Sequence, residues 1–319
     1  MAQVQTVLGP VDAGDLGKTL IHEHFRGRDE STVFQWPHLH DEEAEYAEAV
    51  EMAQAVLGND VRTVVEPTAM MLGRDVLFLI RLAQETGLQI VPCTGIYTYD
   101  HLPINLESRD ADFMADLFVH DIEQGIQGTD ARAAFIKCAA DEPGVNDNIE
   151  KVHRAAARAS VRTGAPIMAH SRPASNTGPR QVEIFLEEGV DPAKIQIAHC
   201  GDTDDLDYIS GLLDQGVYVG LDRYGIEMYL PADRRNATVL ALLERGHVER
   251  MFLSQDYVVA LDWFPEEQVQ QLMEAGAVKD WSMTLLFDTI IPQLREGGMT
   301  DEQLDTMLAD NPRRWLAGA

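Results

Sequence analysis

The 319-residue chain is poor in basic side chains. It carries 25 Lys and Arg residues against 53 Asp and Glu residues, which gives a formal net charge of −28. Nucleic acids and anionic membrane surfaces bind proteins through clusters of basic side chains, and carboxylates outnumber those side chains here about twofold. We therefore expect neither a nucleic-acid partner nor a membrane partner.

Cysteine is scarce as well. The chain has three cysteines, Cys93, Cys138 and Cys200. Their number is odd and their spacing is not that of a metal site, which indicates a reducing compartment. The first fifteen residues lack the basic start and apolar stretch of a signal peptide, and no apolar run approaches the roughly 20 residues that span a bilayer. We expect a cytoplasmic protein.

Linkers, low-complexity segments and internal repeats are also lacking, so residues 1–319 are expected to form a single domain. Hydrophobic residues make up 45% of the chain and charged residues 24%, which is ordinary for a globular protein. Short runs rich in Val, Ile, Thr and Leu alternate with longer amphipathic stretches. This alternation predicts parallel strands joined by helices.

Eight such runs are candidate strands, and two of the helical stretches between them close on a glycine placed as a C-cap. Eight βα units in this length favour an α/β fold of the (β/α)₈ TIM-barrel type, although an open doubly wound sheet would give the same local alternation. The last forty residues predict two helices packed outside the barrel, the second beginning at Thr300. The candidate strands are residues 19–24, 62–68, 89–97, 133–141, 166–171, 195–201, 218–224 and 251–257.

Residue types that bind metals lie where these strands end. Since strand side chains alternate, His22 and His24 face the same way at the end of the first strand. His170, His199 and Asp256 follow at the ends of the fifth, sixth and eighth strands. Barrel active sites are built at the carboxyl ends of the strands, so this placement predicts one metal site there.

The other histidines are interpreted differently. His38 and His40 repeat the spacing of the first pair, but they follow Trp36-Pro37 and are expected in a loop. His170 or His199 taken singly could be a buried structural histidine, and their joint placement on successive strands carries the metal interpretation. Four more histidines are predicted to be surface residues: His101, His120, His153 and His247.

Lys137 lies in the apolar stretch AAFIKCAA. A buried ammonium is costly, so this lysine is either paired with a carboxylate or chemically converted, and the residue alone favours the pair. The sequence has no GxxxxGK[ST], no GxGxxG after a strand, no GxSxG and no HExxH motif. Nucleotide-dependent, serine-hydrolase and zincin interpretations therefore lack support.

At these residues the sequence resembles the phosphotriesterase family of the amidohydrolase superfamily, and most closely the phosphotriesterase-like lactonases. The resemblance runs almost from end to end and implies a barrel with a binuclear metal site at the carboxyl ends of its strands. It rests on these motifs, in this order: VQTVLGPVDAGDLGKTLIHEH, FIKCAAD, PIMAHS, IAHCGDTDDLDYI, YVGLDRYG, FLSQDY and NPRRWLA.

The resemblance also implies roles for the candidate ligands. His22, His24 and Asp256 would hold the more buried of two divalent metal ions, and His170 and His199 the more exposed one. Lys137, N6-carboxylated to a carbamate, and a hydroxide would bridge the two ions; zinc is expected first, with cobalt, manganese or iron as alternatives. The hydroxide would attack the substrate, and Asp256 would take its proton. Asp202 would relay protons or cap the next helix.

Tyr97 and Arg223 match positions that the lactonases use in catalysis and substrate binding, and Trp263 is expected either to line an acyl-chain site or to pack its loop. The stretch from Tyr224 to Met251 is short, where phosphotriesterases resemble one another in a longer insertion. By resemblance we expect a quorum-quenching lactonase acting on N-acyl-homoserine or other lipophilic lactones. Phosphotriester hydrolysis is the expected side activity, and a homodimer the expected assembly.

Two other functions remain open. The first is a primary aryldialkylphosphatase, a phosphotriesterase working on the same site. The second is a catalytically silent barrel that binds a ligand, which the complete ligand set disfavours. The segment Phe25-Arg26-Gly27-Arg28-Asp29-Glu30 is more charged than its counterpart in the family, so this first loop is expected to shape a different pocket.

Overall fold

The computed structural model describes residues 2–318. Within these residues an antiparallel hairpin of β1 (Gln3–Thr6) and β2 (Gly9–Asp12) precedes eight parallel strands, which form one sheet in chain order. The parallel strands are β3 (Lys18–Leu20), β4 (Val61–Glu66), β5 (Gln89–Gly95), β6 (Phe135–Ala139), β7 (Ile167–His170), β8 (Ile195–Ala198), β9 (Tyr218–Leu221) and β10 (Met251–Leu253).

Helices follow the parallel strands and cover the outer face of the sheet. The predicted (β/α)₈ barrel is thus confirmed. The helices are α1 (Glu30–Gln35), α2 (Glu42–Gly58), α3 (Val76–Thr86), α4 (Ile104–Glu107), α5 (Ala111–Glu123), α6 (Asp147–Thr163), α7 (Thr177–Glu187), α8 (Leu206–Leu213), α9 (Ala232–Glu244), α10 (Glu266–Glu274), α11 (Ile291–Glu296), α12 (Asp301–Asp305) and α13 (Asn311–Ala317). No helix of the described chain is both long enough and apolar enough to cross a membrane.

The barrel is closed between β3 and β10, beyond the ends of the strands themselves. The backbone N–H of His24 donates to the carbonyl of Tyr257 at 2.7 Å, and that of Val259 donates to the carbonyl of His24 at 3.0 Å. The N–H of Gly27 bonds the carbonyl of Ala260 at 2.8 Å. These bonds join the segment after the first barrel strand to the segment after the last one.

All eight predicted strands are present, but each was predicted one to four residues too long at its carboxyl end. His22 and His24 follow β3 rather than lying in it, so simple strand alternation was the wrong reason for their shared direction. His199 and Asp256 adopt left-handed backbone conformations, with φ of 65° and 53°, directly after β8 and shortly after β10. Four of the predicted metal ligands thus lie on irregular backbone at the mouth of the barrel, whereas Lys137 lies in β6 and His170 ends β7.

Local sequence signals account for the helix ends. The side chains of Asp75 and Asn146 accept the N–H groups of the third residue after them, at the starts of α3 and α6. Gly87 and Gly164 follow the same helices with φ of 76° and 81°, a conformation that glycine adopts without a Cβ penalty. The closing glycines were predicted as C-caps from the sequence, whereas the two N-caps were not predicted.

The carboxyl-terminal tail closes the amino-terminal end of the barrel. Thr300 begins its second helical stretch with a capping box to Gln303, which confirms the predicted start. Trp315 is 1% exposed and packs on Phe135 and Phe252, with ring centroids 5.6 and 6.0 Å away. This helix packs on the end of the barrel, and its tryptophan side chain belongs to the apolar cluster of the barrel interior.

His153 is also a correction, since it was predicted at the surface and is fully buried in α6. Its ring stacks on Phe185 at a centroid distance of 5.4 Å. The helical period places it beside Val152 and one turn after Ile149, on the face that α6 buries. His101 and His120 have side chains 90% and 63% exposed, as predicted.

Candidate metal centre

Three of the predicted ligands meet at the barrel mouth. The Nε2 atoms of His22 and His24 lie 3.3 and 3.2 Å from Oδ1 of Asp256. The two histidines are 1% and 4% exposed, and 12% of the Asp256 side chain is exposed. Two imidazole nitrogens and one carboxylate oxygen therefore face a common point, the donor set of a divalent transition-metal ion.

The rings of these histidines are held by groups behind them. Asp222 accepts from Nδ1 of His22 at 2.9 Å and from Nδ1 of His199 at 3.0 Å. Thr68 Oγ1 lies 2.7 Å from Nδ1 of His24. With each Nδ1 engaged, Nε2 is the nitrogen left to bind a metal, the usual arrangement behind a metal-binding histidine.

His199 and His170 form the other side of the cluster. Ligand atoms of His22, His199 and Asp256 all lie within 4.8 Å of one another. His170 is outside that group of three, but its ring centroid is 4.5 Å from that of His199. Its Nε2 bonds Asp141 Oδ2 at 2.7 Å, and its Nδ1 lies 3.0 Å from the Tyr97 hydroxyl.

Lys137 extends from β6 into the same cluster and is fully buried. Its Nζ lies 3.1 Å from His22 Nε2 and 3.5 Å from the sulfur of Met168. Within residues 2–318 it forms no ion pair with a carboxylate, so the paired-lysine interpretation was wrong. Burial lowers the pKa of this ammonium from its usual 10.5 to about 8.

The electrostatics favour the protonation states that bind metals. Burial, reinforced by Lys137, lowers the pKa of His22 to about 4. Burial alone would raise the pKa of Asp256, but the attraction of His22, His199 and Arg223 holds it well below its usual value. Neutral imidazoles and an ionised carboxylate are the forms that coordinate metals, so the residues present fit a divalent cation.

The predicted substrate residues border this cluster. The hydroxyls of Tyr97 and Tyr99 are 2.6 Å apart. Trp263 is 37% exposed, and its ring centroid lies 5.9 Å from that of Tyr97. Arg223 is 9% exposed and donates from Nε to Asp256 Oδ2 at 2.9 Å. Tyrosine hydroxyls, an indole and a guanidinium thus surround the candidate ligands.

Asp202 connects Arg223 to the protein behind it. Its Oδ2 accepts from Nη1 of Arg223 and its Oδ1 from Nη2 of Arg235, both at 2.9 Å. The N-cap of α8 is Asp205, so the helix-capping interpretation of Asp202 was wrong. Asp202 instead fixes the guanidinium that contacts Asp256.

Four residues of the site escaped the sequence analysis. Asp222 directly follows β9, and Asp141 lies two residues after β6. The rule that found the predicted ligands, a polar residue where a strand ends, would have found both. Thr68 ends the second predicted strand, but a hydroxyl is not a typical metal ligand, and Tyr99 lies beyond the end of the third predicted strand.

The chain is similar to known proteins over nearly its whole length. The sequence profile of the Phosphotriesterase family matches residues 2–316. An aryldialkylphosphatase of Saccharolobus solfataricus is 44% identical over 307 residues, which cover 96% of this chain and 97% of that protein. A phosphotriesterase homology protein of Mycobacterium tuberculosis is 39% identical, over 98% of this chain and 97% of the relative.

A solved structure agrees with these matches. The structure of the phosphotriesterase from Mycobacterium tuberculosis superposes with a TM-score of 0.93 at 39% sequence identity. The superposition covers 98% of each chain. The likeness therefore extends from the sequence to the complete fold.

Proposed function

This chain belongs to the phosphotriesterase family, a family of metal-dependent hydrolases, and we propose that its preferred substrates are lipophilic lactones, N-acyl-homoserine lactones among them. The family resemblance drawn from the ordered motifs is confirmed by the profile match. The substrate, the two ions and the residue roles below are proposals built on the geometry of the site.

The contact between Tyr97 and His170 carries the lactone proposal. The Tyr97 hydroxyl lies 3.0 Å from a nitrogen of a proposed ligand, at the side of the cluster where substrate would approach. Burial raises the pKa of this phenol well above its usual value of 10, so it stays protonated. Its one proton would become available to substrate when a cation occupies the His170 nitrogen. A lactone offers carbonyl and ring oxygens to such a donor, and Trp263 offers apolar surface to an alkyl chain.

The proposed ligands divide into two sets around Lys137. His22, His24 and Asp256 would hold one cation, and His170 and His199 the other. Bound cations would lower the pKa of a water molecule and polarise the substrate carbonyl. The ionised Asp256 accepts the proton released during attack, and Arg223 holds its Oδ2 in place.

Lys137 is proposed to carry a carbamate. Its neutral amine adds to the carbon of CO₂ and releases a proton, which leaves an anionic group with two oxygens. A carbamate would remove the buried ammonium and would offer oxygen ligands to bound cations, and the buried setting of Nζ among the candidate ligand side chains supports this conversion.

A primary aryldialkylphosphatase is the second candidate, favoured by the 44% identity to the aryldialkylphosphatase of Saccharolobus solfataricus. The connection from β9 to β10 favours the lactone instead. In the described chain it contains α9 and a single 3₁₀ turn, Val248–Arg250, without the longer insertion that the phosphotriesterases share.

Steady-state kinetics on the metal-loaded enzyme separate the two candidates. We expect a higher kcat/KM for a long-chain γ-lactone than for an aryl dialkyl phosphate. Tyr97→Phe should lower kcat/KM for the lactone about tenfold, the effect of one lost hydrogen bond. It should change kcat/KM for the phosphate ester less. Preference for the phosphate ester would make the chain a primary phosphotriesterase.

Metal removal tests the centre itself. Chelation should abolish both activities, and returning the metal should restore them together, with about two ions per chain by elemental analysis. Full turnover after complete chelation would contradict the metal assignment. A metal-free protein that takes up no added metal would support the silent barrel.

A further inference from the structure

A cavity separate from the candidate metal centre lies beside the charged segment that follows β3. It has a volume of about 450 Å³, within the range of small-molecule sites, and lies between this segment and the loop after β4. None of the proposed metal ligands or substrate residues lines it. Its lining includes Arg26, Arg28, Val33, Phe34, Gly73 and Leu77.

Both arginines are buried and have N–H groups without a hydrogen-bond partner. Arg26 and Arg28 are 6% and 4% exposed. One nitrogen of Arg26 pairs with Asp75, and one of Arg28 pairs with Glu45. Nε and Nη1 of Arg26 and Nε of Arg28 have no hydrogen-bond partner in the described part of the chain. Buried donors are nearly always satisfied in native proteins, so these three atoms call for an acceptor.

The nearby carboxylates are already engaged elsewhere. Asp75 caps α3 by accepting the N–H of Phe78 at 3.0 Å, besides pairing with Arg26. Glu30 accepts the N–H of Met71 at 3.0 Å. Neither carboxylate hydrogen-bonds the free nitrogens. Glu42 lies 3.9 Å from Nη1 of Arg26, beyond hydrogen-bond distance, and the Arg26 guanidinium lies 4.2 Å from the centre of the Phe78 ring. No carboxylate of the described chain thus hydrogen-bonds these nitrogens, and an acceptor from outside the chain could do so.

Backbone contacts fix the arginine wall of the cavity. The N–H of Arg28 donates to the carbonyl of Leu72 at 2.9 Å. Gly73 has a φ of 99°, and a Cβ added there would lie 2.5 Å from the backbone nitrogen of Arg28. Only glycine permits this close approach, so the guanidinium of Arg28 projects from a fixed backbone position.

Part of the remaining lining is apolar, beside the polar side chains of Glu30, Arg74, Asp75 and Gln127. Phe34 and Leu77 are 82% and 64% exposed, and Val33 lies with them on the cavity lining. We propose that this pocket binds a carboxylate with a short alkyl chain, the carboxylate on Arg26 and Arg28 and the chain on Phe34 and Leu77. Guanidinium forks match carboxylate oxygens, and the apolar rim selects an anion with a hydrocarbon tail.

Calorimetric titration of the metal-loaded enzyme with octanoate tests this proposal. Acetate, which lacks the tail, and 1-octanol, which lacks the charge, should both bind more weakly. Arg28→Met should weaken octanoate binding at least about tenfold, since it removes a charge-assisted hydrogen bond. Arg132→Met, the same change at an exposed position, is the matched control and should bind as the parent does.

We choose Arg28 for substitution rather than Arg26, because Arg26 lies close to the metal centre. The Arg26 carbonyl lies 3.5 Å from the Thr68 hydroxyl, which contacts His24. Phe34→Ser gives a second test at a highly exposed position, where misfolding is not expected. It should weaken binding of octanoate and leave binding of acetate unchanged.

Two results would contradict the proposal that this pocket binds an alkyl carboxylate. Equal octanoate binding by the parent and Arg28→Met would place the carboxylate elsewhere, such as on the metal ions. Absence of octanoate binding, together with a change of oligomeric state in Phe34→Ser, would make the apolar rim a contact between two copies of the chain. Lactone turnover is measured separately, so failure of the pocket leaves the proposed function untouched.

Discussion

His153 illustrates how burial fixes the protonation state of a single residue. Its Nδ1 lies 2.7 Å from the carbonyl of Ile149, and its Nε2 lies 2.9 Å from the amide nitrogen of Gln181. A neutral ring that donates from Nδ1 and accepts at Nε2 satisfies both contacts. Burial lowers the pKa of His153 from 6.5 to about 4, because a charged ring loses its hydration there.

This lowered pKa predicts a pH dependence of stability. Between pH 6.5 and 4 the unfolded chain binds a proton at His153 and the folded chain does not. The contribution of neutral His153 to the free energy of unfolding is therefore intact above pH 6.5 and is lost as the pH falls. The loss is about 2 kcal/mol between pH 7 and pH 5. His153→Gln should reduce the pH dependence of the unfolding free energy by that amount in urea titrations, and His101→Gln should not. If the unfolding free energy changed equally with pH in the parent and in both variants, the lowered pKa of His153 would be contradicted.

The single residues also show what the sequence could predict of the site. Histidine and aspartate at strand ends identified His22, His170 and Asp256, because parallel strands bring their carboxyl ends together. The bond from Arg223 to Asp256 was not predictable, since it joins two loops 33 residues apart. His153 was misjudged because its charged neighbours were given more weight than its position on the helical face.

At the scale of elements, Glu23 joins the segments after β3 and β10. One carboxylate oxygen accepts from the Ser254 hydroxyl at 2.7 Å, and from the backbone N–H and side-chain amide of Gln255 at 2.8 and 2.9 Å. The other accepts from the N–H of Tyr257 at 2.8 Å. These bonds fix the backbone on both sides of Asp256, which itself has a φ of 53°.

Glu23→Gln should weaken this connection, because an amide presents N–H donors to groups that are themselves donors. We expect the free energy of unfolding to fall by about 1–3 kcal/mol for each donor left unsatisfied. Metal content and lactone turnover should fall too, since Asp256 loses its support. Chemical denaturation and elemental analysis measure both effects, with the exposed Glu51→Gln as the matched control. Unchanged metal content in Glu23→Gln would show that this connection does not position Asp256.

The elements themselves were largely predictable. Alternating apolar runs predicted all eight barrel strands, and glycine C-caps such as Gly87 predicted two helix ends. The carboxyl ends of the strands were not predictable, because a strand ends where its neighbours stop pairing with it, and that depends on distant parts of the chain. The hairpin of β1 and β2 was missed for a different reason: its four-residue strands are too short to show a period.

At the scale of the whole molecule, acidity is the dominant feature. Arginines on the helices are shared among several carboxylates: Arg154 contacts Glu150, Glu187 and Glu188. With 25 basic residues against 53 acidic ones, more than half of the carboxylates cannot have a cationic partner of their own. Repulsion among the unpaired carboxylates therefore opposes the compact state.

This excess predicts that salt stabilises the protein. Screening weakens attraction within exposed pairs, which contribute little, and relieves the repulsion among many carboxylates. The Tm should therefore rise by several degrees between about 0.05 M and about 0.5 M NaCl. Replacing the exposed Glu48, Glu51 and Glu244 by Lys brings the net charge to about −22, and should raise the Tm at low salt and flatten its salt dependence. A Tm that falls with added salt would mean that the arginine–carboxylate pairs outweigh the repulsion.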